Sequence, residues 1–264
     1  MQLRDEISGE KQVGARNLTA WPSWLGRWLV RLAKPLARRV SANAVLWITA
    51  GIGCVLVLAL TVAGSGIYES VEEGEGLAGI DRPILDAAID LRTPTSDRLI
   101  TWFTNLGGAV GMTIIAATIT LAMVLRWRSR TPLLLMVIAV AGSLSMTSIG
   151  KIVVGRVRPD TADAVPPYET SPSFPSGHAL NSTVIAGLVA YLLLLRLTSR
   201  LSRIVTVVLA AAWAVAMGLS RVVLGHHWLT DVMFGWTLGL AWLCVVITAH
   251  RLYLTVRNTR RGST

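Results

Sequence analysis

Ser220, Arg221, His226, His227 and Asp231 bring an arginine, two imidazoles and a carboxylate into one short stretch between two apolar runs. His227 precedes Asp231 by four residues, so on a helix the two share a face, and the carboxylate can hold one ring nitrogen while the other stays free. A histidine held this way can be a nucleophile, a base or a metal ligand. The rest of the chain decides which.

Two further segments carry matching chemistry. Lys151 and Arg158 are nearly two helical turns apart, so both can point to one side at the end of an apolar run. Cations at membrane depth are costly and mark a polar site, and a guanidinium suits the oxygens of phosphate. The segment from Ser173 to His178 then leads directly into another apolar run. Its backbone N–H groups and helix dipole favour an anion. Gly177 permits close backbone approach, Ser176 adds a hydroxyl, and His178 stands where it can protonate a leaving oxygen.

Together these residues fit phosphoryl transfer. His227 attacks phosphorus, Lys151, Arg158 and Arg221 neutralise its oxygens, and His178 acts as the acid and then as the base for water. A zinc site built from His178, His226, His227 and Asp231 is disfavoured, because three nearby cations repel the ion. No carboxylate cluster accompanies the histidines, so neither a metal nor another cofactor is expected. Cys54 and Cys244 both lie in apolar runs without ligand spacing and read as small hydrophobes, not a disulfide.

The elements that position these groups are membrane helices. Hydrophobic residues make up 53% of the chain and charged residues only 15%, with mean hydropathy +0.56, whereas soluble domains carry about 25% charged residues. Apolar runs at 44–63, 106–125, 132–154, 178–195, 204–220 and 228–249 predict six transmembrane helices. The first is too long and too far from the start for a cleaved signal peptide. Residues 1–20 read as disordered. From Trp21 onward, tryptophans and leucines alternate at helical spacing with Arg27, Arg31, Lys34, Arg38 and Arg39, which predicts an interfacial helix kinked at Pro35. The acidic interlude 64–105 predicts two short surface helices, about 80–91 and 95–103. They read equally as connectors or as elements that shape substrate access.

The net charge of +10 does not indicate nucleic acid. Its arginines and lysines cluster in the N-terminal arm, in 126–130, in 196–203 and from 251 onward, which the positive-inside rule assigns to the cytoplasm. Lys151, Arg156, Arg158 and Arg221 fall at the opposite ends of the spans. They are left for chemistry on the outer face.

These residues resemble the type 2 phosphatidic acid phosphatase superfamily. Its signature is matched by Lys151 with Arg158-Pro159, by Pro175-Ser176-Gly177-His178, and by Ser220-Arg221 with His227 and Asp231. The likeness extends over about 80–240. Val157 stands where many relatives have proline, and His226 occupies a commonly apolar position. The resemblance implies an all-α polytopic phosphatase with six transmembrane helices, short outer-face helices, no metal and a phosphohistidine intermediate. It also implies His227 as nucleophile, Asp231 as its orienting partner, His178 as acid/base, and Lys151, Arg158, Ser176, Gly177 and Arg221 as phosphate-binding residues.

The expected organisation is a cytoplasmic arm (1–43), a membrane phosphatase domain (44–250) and a basic cytoplasmic tail (251–264), in a bacterial inner membrane with the site facing outward. The expected activity is hydrolysis of a membrane lipid phosphate or diphosphate, with a polyprenyl diphosphate favoured. The alternatives are a phosphatidylglycerophosphate or phosphatidate phosphatase and a lipid phosphotransferase; a lipid-binding or transport protein ranks lower because it would not need the His227–Asp231 pair. Arg156 reads as either a supporting cation or a headgroup contact, and His226 as a loop residue facing water or headgroups, with a share in the proton traffic as the lesser alternative. His250, at the far end, is given no catalytic role.

Overall fold

The computed structural model describes residues 12–13, 16–39, 41–69 and 77–261. It is built from helices apart from a two-residue antiparallel pair, Gln12–Val13 with Arg16–Asn17. Nine α-helices follow among the described residues: α1 (Trp24–Arg39), α2 (Ala42–Glu69), α3 (Asp81–Asp90), α4 (Pro94–Asn105), α5 (Ala109–Trp127), α6 (Thr131–Val154), α7 (Gly177–Leu194), α8 (Arg200–Val223) and α9 (Leu229–Arg261). Among the described residues, five helices are long and apolar enough to cross a membrane: α5, α6, α7, α8 and the part of α9 from Leu229 to Arg257. The expected count of six is met only by adding a shorter apolar stretch, Asn43–Ala59, on α2.

α7 and α9 form the centre. α9 packs along α2 and α7, α7 also meets α8 and α6, and α5 sits at the edge against α6 and α7. The core joins Leu135 and Met146 of α6, Leu180 and Leu188 of α7, and Leu238 and Trp242 of α9. The Trp242 indole satisfies its one polar atom on the Ala139 carbonyl at 2.9 Å, as a buried N–H must. A membrane supplies no hydrophobic drive between helices, so such packing and hydrogen bonds hold the bundle together.

Several predicted boundaries move. α5 starts at Ala109, past the Leu106–Gly108 turn, and α8 extends back to Arg200 and on to Val223. α9 does not stop at 249. It runs to Arg261 with Leu252, Leu254 and Val256 buried, so residues 251–257 are packed helix and not a loose tail. The reason is a second small core in which Val45, Leu252 and Val256 meet Trp21, Leu29 and Val30.

That core also orders residues expected to be disordered. Arg251 lies 4.2 Å over the Trp21 ring and donates to the carbonyls of Leu18 and Ala20. Trp21 in turn donates to Thr255 Oγ1 at 3.1 Å. Of the disorder expectation, residues 1–11, 14 and 15 lie outside the described residues. α1 forms where the tryptophan pattern predicts it and is helical across Pro35, with Trp24 and Trp28 exposed. The two surface helices form as well. Thr93 caps α4 through a reciprocal bond pair with Ser96, next to Pro94.

Candidate active site

Four helix ends and two loops meet at one end of the bundle. α6 delivers Lys151 in its last turn and stops at Gly155, whose left-handed φ of 62° favours glycine. The chain then carries Arg156 and Arg158 across the mouth of the bundle. The Ser176 hydroxyl caps α7, accepting from the Ala179 N–H at 3.5 Å, so Gly177 and His178 occupy the first turn. α8 brings Arg221 in its last turn. The turn at Gly225, with φ 71° and Asp163 and Ala164 packed against it, presents His226 and His227 before α9 starts with Asp231 in its first turn.

Backbone bonds lock the segments together. Ser173 N–H donates to the Arg156 carbonyl at 2.8 Å, Ser176 N–H to the Asp231 carbonyl at 3.2 Å, and Val165 N–H to the Leu224 carbonyl at 2.9 Å. Segments far apart in sequence therefore sit in fixed register.

His227 and Asp231 are fully buried and lie 3.5 Å apart between Nδ1 and Oδ2. Arg158 Nη1 lies 3.2 Å from His227 Nε2. A guanidinium can only donate, so Nε2 is the acceptor and the ring proton stands on Nδ1, towards Asp231 and the Ser173 hydroxyl at 3.4 Å. The Nε2 lone pair thus faces the cations and accepts from Arg158. Burial holds the His227 pKa down at about 4, with Arg158 adding to the effect and the Asp231 hydrogen bond opposing it. At neutral pH the ring is uncharged, as a nucleophile requires.

Asp231 is fixed on both oxygens. Oδ2 accepts from Ser173 Oγ at 2.5 Å and from the Trp228 N–H at 3.1 Å, and Oδ1 accepts from Arg156 Nη1 at 2.6 Å. Arg156 also pairs with Asp81 of α3 at 2.8 Å, and Asp81 accepts from both the N–H and the hydroxyl of Thr230. Arg156 is therefore a supporting cation and not a headgroup contact.

Of the phosphate-binding candidates, Lys151, Arg158, Gly177 and Arg221 line one cavity, whereas Ser176 is buried as the α7 cap; the cavity also holds Glu169, which the sequence did not single out. Glu169, in the loop between the first two segments, binds Arg221 through one oxygen and Arg158 Nη2 through the other at 3.3 Å. Burial alone would raise its pKa, but Arg221 and Arg158 pull it below the usual carboxylate range. Lys151 donates to Ser171 Oγ at 3.2 Å and to the Pro172 carbonyl. The glutamate is a built-in anion on the guanidiniums that a phosphate would use.

Ser173, Asp81, Thr104 and Arg92 were also without assigned roles. Thr104 of α4 accepts from Ser220 Oγ at 2.9 Å, and Arg92 donates to the Val223 and Asp163 carbonyls at 2.5 and 2.6 Å. The surface helices are therefore braces for the site as well as connectors. The one available signal was the charge of Asp81 on the short helix α3 and of Arg92 in the turn that follows it. His226 departs from expectation: it is buried, with Nε2 at 2.7 Å from the Val165 carbonyl and pKa lowered to about 4, first by burial and then by Arg221.

From this cluster a groove of about 1000 Å³ descends between α5 and α6. Lys151, Arg158, His178, Arg221 and His227 line its polar head, while Ala116, Ala117, Leu121 and Leu144 line its apolar length. A long hydrocarbon chain with a charged terminus matches that shape.

The profile of the PAP2 superfamily matches residues 131–253, which contain all eight residues assigned to the site. Phosphatidylglycerophosphatase B of Bacillus subtilis (strain 168) is 35% identical over 162 residues, or 61% of this chain and 78% of the relative. The chain belongs to the PAP2 superfamily. Among solved structures, a transmembrane PAP2-type phosphatidylglycerolphosphate phosphatase from Bacillus subtilis superposes with a TM-score of 0.62 at 28% identity, covering 74% of this chain and 92% of the other. This PAP2 protein is thus an integral membrane member of the family, and its polar cluster lies within the matched region.

Proposed function

We propose that this protein is a lipid phosphate monoesterase acting on phosphatidylglycerophosphate or a closely related glycerophospholipid. The observation carrying the reading is the buried His227, with Nε2 facing Arg158 and Nδ1 facing Asp231, at the head of a groove suited to an acyl chain. The sequence alone favoured a polyprenyl diphosphate. That preference gives way, because both relatives above are named for phosphatidylglycerophosphate and neither for a prenyl substrate.

In this mechanism the lipid phosphate displaces Glu169 from Arg158 and Arg221 and is held by them, by Lys151 and by the Ser176–Gly177 turn. His227 Nε2 attacks phosphorus. The N–P bond forms as the bond to the lipid oxygen breaks, and His178 gives that oxygen its proton. His178 then takes a proton from water, whose oxygen attacks phosphorus and releases phosphate and free His227. The cations supply charge stabilisation within a desolvated site, so metal independence belongs to this proposal. The positive loops 126–130 and 196–203 lie at the other ends of α6 and α8, which supports an outward-facing site with the 1–43 arm and the C-terminal residues in the cytoplasm.

The test is a panel of phosphatidylglycerophosphate, phosphatidate and a polyprenyl diphosphate with purified protein and a chelator present, combined with rapid-quench trapping of radiolabelled enzyme. Wild type should favour the first substrate and trap label, and His227→Ala should do neither. Full turnover by His227→Ala would refute the nucleophile. A clear preference for the diphosphate would refute the substrate.

A further inference from the structure

The groove that descends from the polar cluster is not apolar throughout. Five of its lining side chains, those of Thr101, Thr120, Asn181, Arg221 and His226, hold a buried polar atom with no hydrogen-bond partner. A buried polar group left unpaired is costly, so such a set marks a place that a polar ligand completes. Arg221 and His226 stand at the phosphate-binding head. Thr120 lies far down α5, about 16 Å below its start, among the apolar walls. Asn181 falls between these levels.

Asn181 is in the second turn of α7, three residues after His178 and four after Gly177, so the three share one helix face. Helix side chains lean towards the N-terminus, and this one does. A methyl group at Gly177 would stand 3.8 Å from Asn181 Nδ2. The amide therefore sits directly beneath the turn assigned to the phosphate, on the wall of the groove.

Polar side chains inside a membrane bundle normally pair across helices. Asn181 does not. Its Oδ1 is buried without a partner, and no group among the described residues engages its Nδ2. Thr147 of α6 also borders Gly177, but it donates its hydroxyl to the Ser143 carbonyl at 2.9 Å. An amide left uncommitted in this way can both donate and accept.

The alcohol of a glycerol phosphate ester supplies a match. The carbon next to the one bearing the leaving oxygen carries an oxygen of its own, a hydroxyl in the headgroup of phosphatidylglycerophosphate and an ester oxygen in phosphatidate. A polyprenyl phosphate has only hydrocarbon there. Asn181 is about 4.5 Å deeper than His178 along α7, in the direction that the alcohol takes from a leaving oxygen protonated by His178.

We propose that Asn181 is a specificity-determining residue that hydrogen-bonds this second-carbon oxygen and so selects glycerol phosphate esters over phosphates of plain hydrocarbon alcohols. This role rests on the phosphatase reading of the outer cluster and names the group by which the alcohol is recognised. A substrate without that oxygen leaves the amide buried and unpaired, so it is discriminated against by the penalty as well as by the missing bond.

The experiment compares lysophosphatidate with its analogue lacking the hydroxyl on the central glycerol carbon, using purified full-length protein in detergent and phosphate release as the readout. Wild type should prefer lysophosphatidate by about tenfold in kcat/KM, the size of one buried hydrogen bond. Asn181→Leu, similar in volume but without the amide, should bring that ratio close to one, with most of the loss on lysophosphatidate. Asn181→Ser, which keeps a donor and an acceptor, should retain part of the preference. Asn181→Ala takes the place of the leucine variant if the latter does not fold by circular dichroism. A wild-type ratio near one, or a ratio that Asn181→Leu leaves intact, would overturn the role of Asn181 and leave the phosphatase reading standing. Equal losses on both substrates would make Asn181 a packing residue. Wild type that releases phosphate from neither substrate would remove the phosphatase reading, and this role with it.

Discussion

Arg156 Nη1 stands 2.6 Å from Asp231 Oδ1, opposite the oxygen that faces His227. The guanidinium also lies 5.6 Å from the Trp228 ring centroid and reaches Asp81 with its other nitrogen. The carboxylate that orients the proposed nucleophile is therefore itself held by a surface helix. Removing Arg156 leaves a buried carboxylate without its guanidinium partner, which typically costs about 3–5 kcal/mol when a buried pair is broken. Arg156→Ala should lower kcat by roughly tenfold to a hundredfold with KM nearly unchanged, because His227 positioning suffers and phosphate binding does not. Asp231→Asn, which favours the wrong ring tautomer, should cost more, on the order of 10³–10⁴. Steady-state kinetics on both variants checks this. A KM effect without a kcat effect would make Arg156 a binding residue instead.

In the proposed mechanism Glu169, paired with Arg158 and Arg221, competes with the substrate for the same guanidiniums. Neutralising it leaves Arg158 and Arg221 without their internal anion. Glu169→Gln should therefore bind vanadate, a mimic of five-coordinate phosphorus, roughly tenfold more tightly, equivalent to about 1.4 kcal/mol. Inhibition curves measured with chelator present give the number. Unchanged or weaker inhibition would mean that the carboxylate organises the cations more than it blocks them.

The groups proposed to do chemistry stand out in the sequence because their spacing is local: the i,i+4 relation of His227 to Asp231 and the turn-to-helix run ending at His178 each need only one segment. The spans were legible from hydropathy, apart from their ends, which Gly107–Gly108, Ser199 and the Trp21–Arg251 contact decide. Glu169, Ser173 and Asp81 were not legible as site residues. Each reaches its partner across a loop or from a separate helix, with Asp81 meeting Thr230 and Arg156 only after folding. No periodicity encodes such a contact. His226 was misjudged for a related reason: its neighbours in sequence suggest an exposed loop, but Val165 folds over it.

The depressed pKa of His227 makes a statement about stability. The ring sits at about 4 in the folded protein against an ordinary 6.5, so the folded state disfavours protonation. Its contribution is fully present above 6.5 and is lost as pH falls towards 4, by on the order of 3 kcal/mol in total. Melting temperature in detergent should therefore fall more steeply between pH 6.5 and 4 for wild type than for His227→Gln, which cannot titrate there. Parallel curves would show that burial does not set the protonation of this ring.

The groove between α5 and α6 predicts a selectivity that separates tail from headgroup. Ala117 lines its apolar length and is exposed on α5, so a larger side chain there can be accommodated without repacking the core. Ala117→Trp should narrow the path that an acyl chain follows while leaving Lys151, Arg158, Arg221 and His227 in place. KM for a long-chain lipid phosphate should rise by about tenfold. Hydrolysis of a water-soluble short phosphate, which needs only the polar head of the groove, should continue at the wild-type kcat/KM. Equal losses on both substrates would indicate that the substitution disturbs the site itself. An unchanged KM for the long-chain lipid would place its tail somewhere other than this groove.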